Sequence, residues 1–347
     1  MLEKAFSLVD RLSKSPNIDI FGRFRNAWET IDQTKYTTSL DDPVAKAHLD
    51  PAREELIEFA MKHLELVQPR DDYRELLELS LIFLGGTPQK GIKFRYPGAF
   101  HRARWMARAI YALKIWIFRQ QFDTQPRTSG RHSNASCKTS DQLLRVCLFL
   151  VTIYIKYWYS CTSAAIAPGN DLRFLKDLFS YHDQEISKLA LTAFSRHLWY
   201  LSKTLVGLSL FDPSVSDDDK REMVSNMRTI EGSEDPPKRI APLQNPMEKR
   251  LPDFFTTSSK LLFEILGLDD SFLDTEPEQW RSHESFVKAR NIVSTLRITN
   301  DLAERGVALT QSFNSSLVRD EEQKQFVLQM VEYHRNKFPK CRKQAND

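Results

Sequence analysis

The sequence predicts a mainly α-helical protein with little or no sheet. Only 11 glycines occur among 347 residues, and the strict apolar–polar alternation that is typical of strands is scarce. Apolar residues instead recur at helical spacing along most of the chain. Hydrophobic residues make up 41% of the chain and charged residues 27%, as in ordinary globular proteins. A chain of this length can form two domains or one large helical domain.

Apolar periodicity and capping signals predict five helices in the first third of the chain. We expect them over 1–14, 20–31, 51–67, 72–84 and 98–122. Asp50 and Pro51 resemble an N-cap followed by proline at the first helical position. The glycines of 85–88 would end the fourth helix, and the basic loop of 90–97 after it could hold a strand pair.

The rest of the chain is predicted to hold further helices around one proline-rich linker. We expect a polar surface loop over 123–141, a central buried helix over 142–159 and a turn at 167–170. Further helices are predicted over 171–181, 184–209, 216–231, 254–266, 283–313 and 320–337, with Ser216 as an N-cap. His197 is interpreted as a core histidine. Residues 233–252 hold five prolines. The predicted organisation is therefore a helical domain (1–232), a linker (233–252), a C-terminal helical subdomain (253–338) and a tail (339–347).

Charge is distributed unevenly, although the net charge is only +3. Residues 79–140 hold eleven cations and a single acid, Asp123. In the helix predicted over 98–122, a core stripe would comprise Met106, Ile110, Leu113 and Ile117. A basic stripe beside Tyr111 would comprise His101, Arg104, Arg108 and Arg119. The basic stripe fits either a solvated face paired with nearby acids or contact with nucleic-acid phosphates.

Several classes of site lack their usual motifs. The four cysteines form no CxxC or Cys/His cluster, so we expect neither a zinc site nor a disulfide framework. No glycine-rich phosphate loop, GxSxG or HExxH motif occurs, and we expect no cofactor. The N-terminus does not resemble a signal peptide, and the most apolar run, 146–155, is too short to span a bilayer. The expectation is an intracellular protein that does not enter a membrane.

Residues 300–309 place three charges and a glycine within an apolar helical segment. Such charges are seldom buried unless they are paired or functional. One interpretation pairs Asp301 with Arg305 and Glu304 with another arginine. The other gives Glu304 a functional role.

Several runs resemble a family of invertebrate proteins that occur in many genomic copies and look transposon-derived. They are IFGRF (20–24) with WETID (28–32), YRELLELS (73–80), PGAFHRARWM (97–106), APGNDL (167–172), HLWYLS (197–202), and NDLAERGVAL (300–309) with DEEQ (320–323). Longer members of that family look similar to hAT-type cut-and-paste transposases, which have an RNase H-like core. The resemblance implies that this chain corresponds to the helical insertion and C-terminal part, after the position of the two catalytic aspartates.

In hAT-type enzymes the last catalytic acid lies in a Glu-Arg motif on a C-terminal helix. Ala303-Glu304-Arg305 resembles that motif, which makes Glu304 a candidate vestigial catalytic acid. One carboxylate of three would hold metal ions poorly, so the resemblance implies a catalytically inactive chain.

Two functions are compatible with the sequence. The first is a transposase-derived, DNA-associated nuclear protein in which His101, Arg102, Arg104, Arg108 and Arg119 engage phosphates without reading sequence. Its partners would be DNA and other copies of the chain or full-length family members. The second is a helical protein-interaction module with no nucleic-acid role. In that case the cations of 79–140 should pair with the acidic segments 212–222 and 264–284.

Overall fold

The computed structural model describes residues 19–68, 71–98, 105–122, 134–194, 198–232, 245–296 and 298. Within these residues the protein is mainly helical and contains no strand, which confirms the predicted fold class and leaves the loop at 90–97 without a strand pair. Twelve α-helices are described. They are α1 (Asp19–Ala27), α2 (Pro43–Leu49), α3 (Arg53–Glu65), α4 (Asp71–Phe83), α5 (Trp105–Ile117), α6 (Asn134–Phe149), α7 (Ile155–Ser160), α8 (Ala167–Ser180), α9 (Gln184–Phe194), α10 (Asp217–Thr229), α11 (Leu261–Leu266) and α12 (Glu284–Thr295).

The larger of two hydrophobic cores lies around α4 and α5. Helix α4 is packed between α3 and α5, and α5 also packs on α6. Aromatic rings from α1 complete this core, with Phe21 stacked on Tyr111 at 4.7 Å and Phe24 edge-on to Phe122 at 5.2 Å between ring centroids. Offset and edge-on ring pairs stabilise a core beyond the area that they bury. Helix α4 follows the predicted 72–84 to within one residue.

Helix α5 is buried on every side over most of its length. Every residue from Ala109 to Phe118 is buried, including Lys114. Ile110, Leu113 and Ile117 do lie in the core as expected. From Ala109 to Ile117 the helix therefore has no face left for solvent.

A long apolar helical stretch runs through α6 and α7 and is the predicted central helix. One turn of π-helix, Leu150–Tyr154, joins the two helices. Helix α6 begins at Asn134, so the polar loop predicted over 123–141 ends earlier than expected. Asp141–Ser160 is long and apolar enough to span a bilayer by length and composition. Core helices pass the same test, and 61% of its most apolar window is buried inside the protein.

The second hydrophobic core draws residues from both sides of the proline-rich region. Phe211 and Met223, which precede 233–252, pack with Phe255 and Phe272, which follow it. Pro246 and Pro252 are themselves buried in short 3₁₀ turns. The region therefore does not separate two cores, and the compact unit that holds both cores extends to Ile298.

Local geometry corrects two capping or turn predictions and confirms a third. Proline begins a helix at Asp42–Pro43 rather than at Asp50–Pro51, because the Asp42 side chain accepts from two backbone N–H groups while Asp50 ends α2. Residues 167–170 form the first turn of α8, since Pro168 is tolerated where the N–H needs no partner. Ser216 caps α10 as predicted, with its Oγ 3.1 Å from the Asp219 nitrogen.

Two long predicted helices are shorter in the structure. The segment predicted over 184–209 is α9 followed, after Leu198, by 3₁₀ turns. The segment predicted over 283–313 ends as α12 at Thr295, where Leu296 turns to an extended conformation. The predictions for helix 1–14, His197, Glu304, helix 320–337 and the tail concern residues outside the described ranges.

Candidate nucleic-acid interface

The proposed phosphate-binding residues fall into two groups. His101, Arg102 and Arg104 lie outside the described residues, as does Glu304. Arg108 and Arg119 are described, and Arg108 is partly exposed on α5.

Arg119 is committed to contacts inside the protein. Its guanidinium donates to the Trp116 carbonyl oxygen at 3.1 Å and to the Thr37 hydroxyl, and it lies 3.6 Å from the centroid of the Trp116 ring. The Asp42 carboxylate is 3.5 Å away, and the Arg119 side chain is only 13% exposed. The predicted role of Arg119 in phosphate binding is therefore corrected to a structural one.

Lys114 is a buried cation whose importance the sequence pattern did not reveal. Its Nζ lies 2.6 Å from Glu75 Oε1 on α4 and donates to the Arg95 carbonyl oxygen, also at 2.6 Å. The contact with Glu75 is close but is not aligned as a hydrogen bond. Burial lowers the pKa of Lys114, an effect that Glu75 opposes. Lys114 thus joins α4, α5 and the segment that connects them.

That connecting segment, residues 88–98, is called here the basic loop. Its ends are fixed because Pro88 and Pro97 are buried. In its middle, the Phe94 ring packs on Tyr36 at 5.7 Å and on Phe118 at 4.7 Å. Close to its end, the Tyr111 hydroxyl donates to the Gly98 carbonyl oxygen. Burial raises the pKa of Tyr111 to about 12, so the phenol keeps its proton and remains a donor at neutral pH.

The basic loop presents cations and one aromatic ring to solvent. Lys90, Lys93 and Tyr96 are exposed, with 54% of Tyr96 accessible. Arg25 of α1 joins this surface, since its guanidinium lies 5.8 Å from the centroid of the Tyr96 ring. Among the described residues, Lys90, Lys93 and Arg25 form no ion pair.

Acids also lie beside the basic loop: Gln89 donates to Glu65 at 3.5 Å, and two further acids lie near arginines. Arg95 is 3.6 Å from Asp71 and Arg74 is 3.9 Å from Glu78. Burial raises the pKa of Glu78, and the positive charges of Arg95, Arg74 and Lys90 act against this increase. The surface therefore keeps an excess of positive charge on Lys90, Lys93 and Arg25, which is the property that phosphate binding needs.

The acidic segments 212–222 and 264–284 pair with arginines other than those of 79–140 in the part of the chain that the structure describes. This differs from the pairing expected for the protein-interaction alternative. The pairs with arginine are Arg221 with Asp218, Glu276 and Glu278, Arg228 with Asp274, and Arg250 with Asp219 and Glu222, and Glu284 pairs with Lys288. Lys114 and Arg119 pair instead with Glu75 and Asp42, which precede them in the sequence.

Within the described ranges, no group of three or more His, Cys, Asp or Glu side chains could hold a metal ion. Cys147 is a buried free thiol, and burial raises its pKa, which makes it a weak nucleophile. No family model matches the chain, and neither a curated protein nor a solved structure is significantly similar to it.

Proposed function

We propose that this chain is a transposase-derived, DNA-associated protein that contacts phosphates through the basic loop. The observation that carries the proposal is the exposure of Lys90 and Lys93 in a loop whose later part is held by Lys114 and Tyr111. Cations on a fixed surface lose less conformational freedom when they bind than cations on a mobile one. His101, Arg102 and Arg104 follow this loop in the sequence and stay predicted phosphate contacts.

The proposed contacts are to the DNA backbone rather than to base edges in a groove. Lysine is a flexible point charge, whereas sequence is read by groups with fixed donor and acceptor geometry. Affinity should therefore depend weakly on duplex sequence and strongly on salt. The proposal assigns DNA binding without strand cleavage and, with it, a nuclear location.

The proposal is tested by reversing the loop charges. The full chain and a K90E/K93E variant are titrated against a fluorescein-labelled duplex by anisotropy at about 50 mM salt. A matched control, K188E/K260E, makes the same change in net charge at two exposed lysines on other elements. We expect the loop variant to bind at least about tenfold more weakly and the control to bind like the wild type. Equal affinities of the loop variant and the wild type would refute the assignment.

A helical protein-interaction module is the second candidate function. It is favoured by the exposed apolar face of α11, where Leu261 and Ile265 lie one turn apart and are 42% and 72% exposed. Exposed apolar residues at this spacing suit docking against a helix of another protein or a second copy of this chain. Self-association of the wild type that is lost in an L261S/I265S variant in sedimentation experiments, with no DNA binding by either protein, would support this alternative.

A further inference from the structure

The basic loop contains an aromatic ring in a position that phosphate binding alone does not require. Most aromatic side chains of the described residues are buried in the two cores, whereas Tyr96 is 54% exposed and Phe179 of α8 is 40% exposed. Exposing a tyrosine forgoes the stabilisation that its burial would give. Tyr96 also lies within a basic surface, and Phe179 does not belong to that surface.

The backbone on both sides of Tyr96 is held in place. The preceding residue, Arg95, accepts a hydrogen bond from the buried Lys114 ammonium at 2.6 Å. The following residue, Pro97, is buried, and Gly98 accepts from the Tyr111 hydroxyl. The ring is therefore displayed from an anchored backbone, and a ligand that stacks on it does not have to order the loop first.

Arg25 adds a cation beside the same ring. Its guanidinium lies 5.8 Å from the ring centroid, within the range of a cation–π contact. Lys93 is close along the chain. A ring with adjacent unpaired cations matches a nucleotide, in which an aromatic base is joined to a phosphate.

We propose that the basic loop prefers single-stranded DNA, with an unpaired base stacked on Tyr96 and the adjacent phosphates bound by Arg25, Lys90 and Lys93. This inference rests on the proposed function and specifies which form of DNA the same surface binds. In a duplex the faces of each base are covered by neighbouring base pairs, so only phosphates are available to the loop. An unpaired strand offers both phosphates and base faces.

The test separates stacking from charge by changing the ligand. The full chain is titrated against oligo-dT, against an abasic strand with the same number of phosphates, and against a duplex. We expect oligo-dT to bind about tenfold more tightly than the abasic strand. Tyr96→Ala should abolish that difference and Tyr96→Phe should keep it. Phe179→Ala, the matched control at the other exposed ring, should leave it unchanged.

The outcomes distinguish this inference from the proposed function. Equal binding of oligo-dT and the abasic strand by the wild type, with duplex binding that still needs Lys90 and Lys93, would overturn the stacking inference alone. If K90E/K93E binds DNA as tightly as the wild type, both the proposed function and the stacking inference are overturned. The bases of unpaired RNA can also stack on Tyr96, so binding of oligo-U is measured in parallel. Affinity for oligo-dT equal to or above that for oligo-U supports DNA, and a clear preference for oligo-U overturns the assignment to DNA.

Discussion

Replacing Lys114 by methionine tests the connection between the buried ion pair and the basic loop. The substitution keeps an unbranched side chain in the site and removes the charge and the donor. Two groups then lose their partner: the Glu75 carboxylate, which is 14% exposed, and the Arg95 carbonyl oxygen. An unpaired charge that remains buried is far more costly than the loss of a surface ion pair.

The magnitude follows from the geometry. At the 2.6 Å separation of Lys114 and Glu75, Coulomb attraction is about 6 kcal/mol at an effective dielectric constant of about 20. The desolvation of the two ions offsets most of that attraction, at several kcal/mol for each ion. Removing one partner leaves the other desolvated, so we expect Lys114→Met to lower the free energy of unfolding by about 3–5 kcal/mol. A double variant, K114M/E75L, should recover most of this loss, because neither charge is then left buried.

Urea unfolding at neutral pH, followed by circular dichroism, gives the stabilities for a double-mutant cycle. The cycle compares the wild type with Lys114→Met, Glu75→Leu and K114M/E75L. The matched control is Lys93→Met, which removes an exposed lysine from the same region and should change stability by less than about 0.5 kcal/mol. A Lys114→Met variant as stable as the control would refute the account of Lys114 as a buried, paired cation. A double variant as unstable as the single one would show that the loss arises from packing rather than from an uncompensated charge.

Three further predictions concern Tyr111, Gly85 and Asp171. Tyr111→Phe removes the donor to Gly98 and should lower the free energy of unfolding by about 1 kcal/mol, measured in urea. Gly85 has φ +85°, so Gly85→Ala should cost about 1–2 kcal/mol in the same assay, and a cost near zero would contradict that backbone conformation. Burial raises the pKa of Asp171 well above its usual value, so the folded state binds this proton more tightly than the unfolded state does. The contribution of Asp171 to stability should therefore be lost as the pH rises from about 4. The free energy of unfolding of Asp171→Asn minus that of the wild type, both measured in urea, should be larger at pH 7 than at pH 4.

Local sequence signals predicted much of the helical framework. Helix α4 was predicted almost residue by residue, because apolar residues recur through it from Leu76 to Phe83 and two glycines follow it. The cap at Ser216 was also predicted, since the Ser-Asp-Asp-Asp run satisfies the N–H groups of the first turn by itself. The aspartate–proline signal was assigned to the wrong position because it occurs at both 42–43 and 50–51, and only tertiary packing decides that Asp42 caps a helix whereas Asp50 ends one.

The nature of the basic region could not be predicted from spacing along one helix. Lys114 and Arg119 look like members of a solvent-facing cationic set until Glu75 and Asp42 are brought next to them by the fold. The cations left on the surface are those of the basic loop, where helical periodicity gives no guide. The sequence did contain a signal for an anchored basic loop. Apolar residues that can anchor a loop are interspersed there among Lys90, Lys93, Arg95 and Tyr96.

The salt dependence of DNA binding tests the central claim most directly. Anisotropy titrations of a duplex by the wild type and by K90E/K93E are repeated from about 50 to 200 mM salt, and log Kd is plotted against log salt concentration. If both lysines contact phosphates, the slope of the wild type is steep and that of the variant is smaller by about two units. Identical slopes for the two proteins, or no binding by the wild type at the lowest salt concentration, would contradict the account.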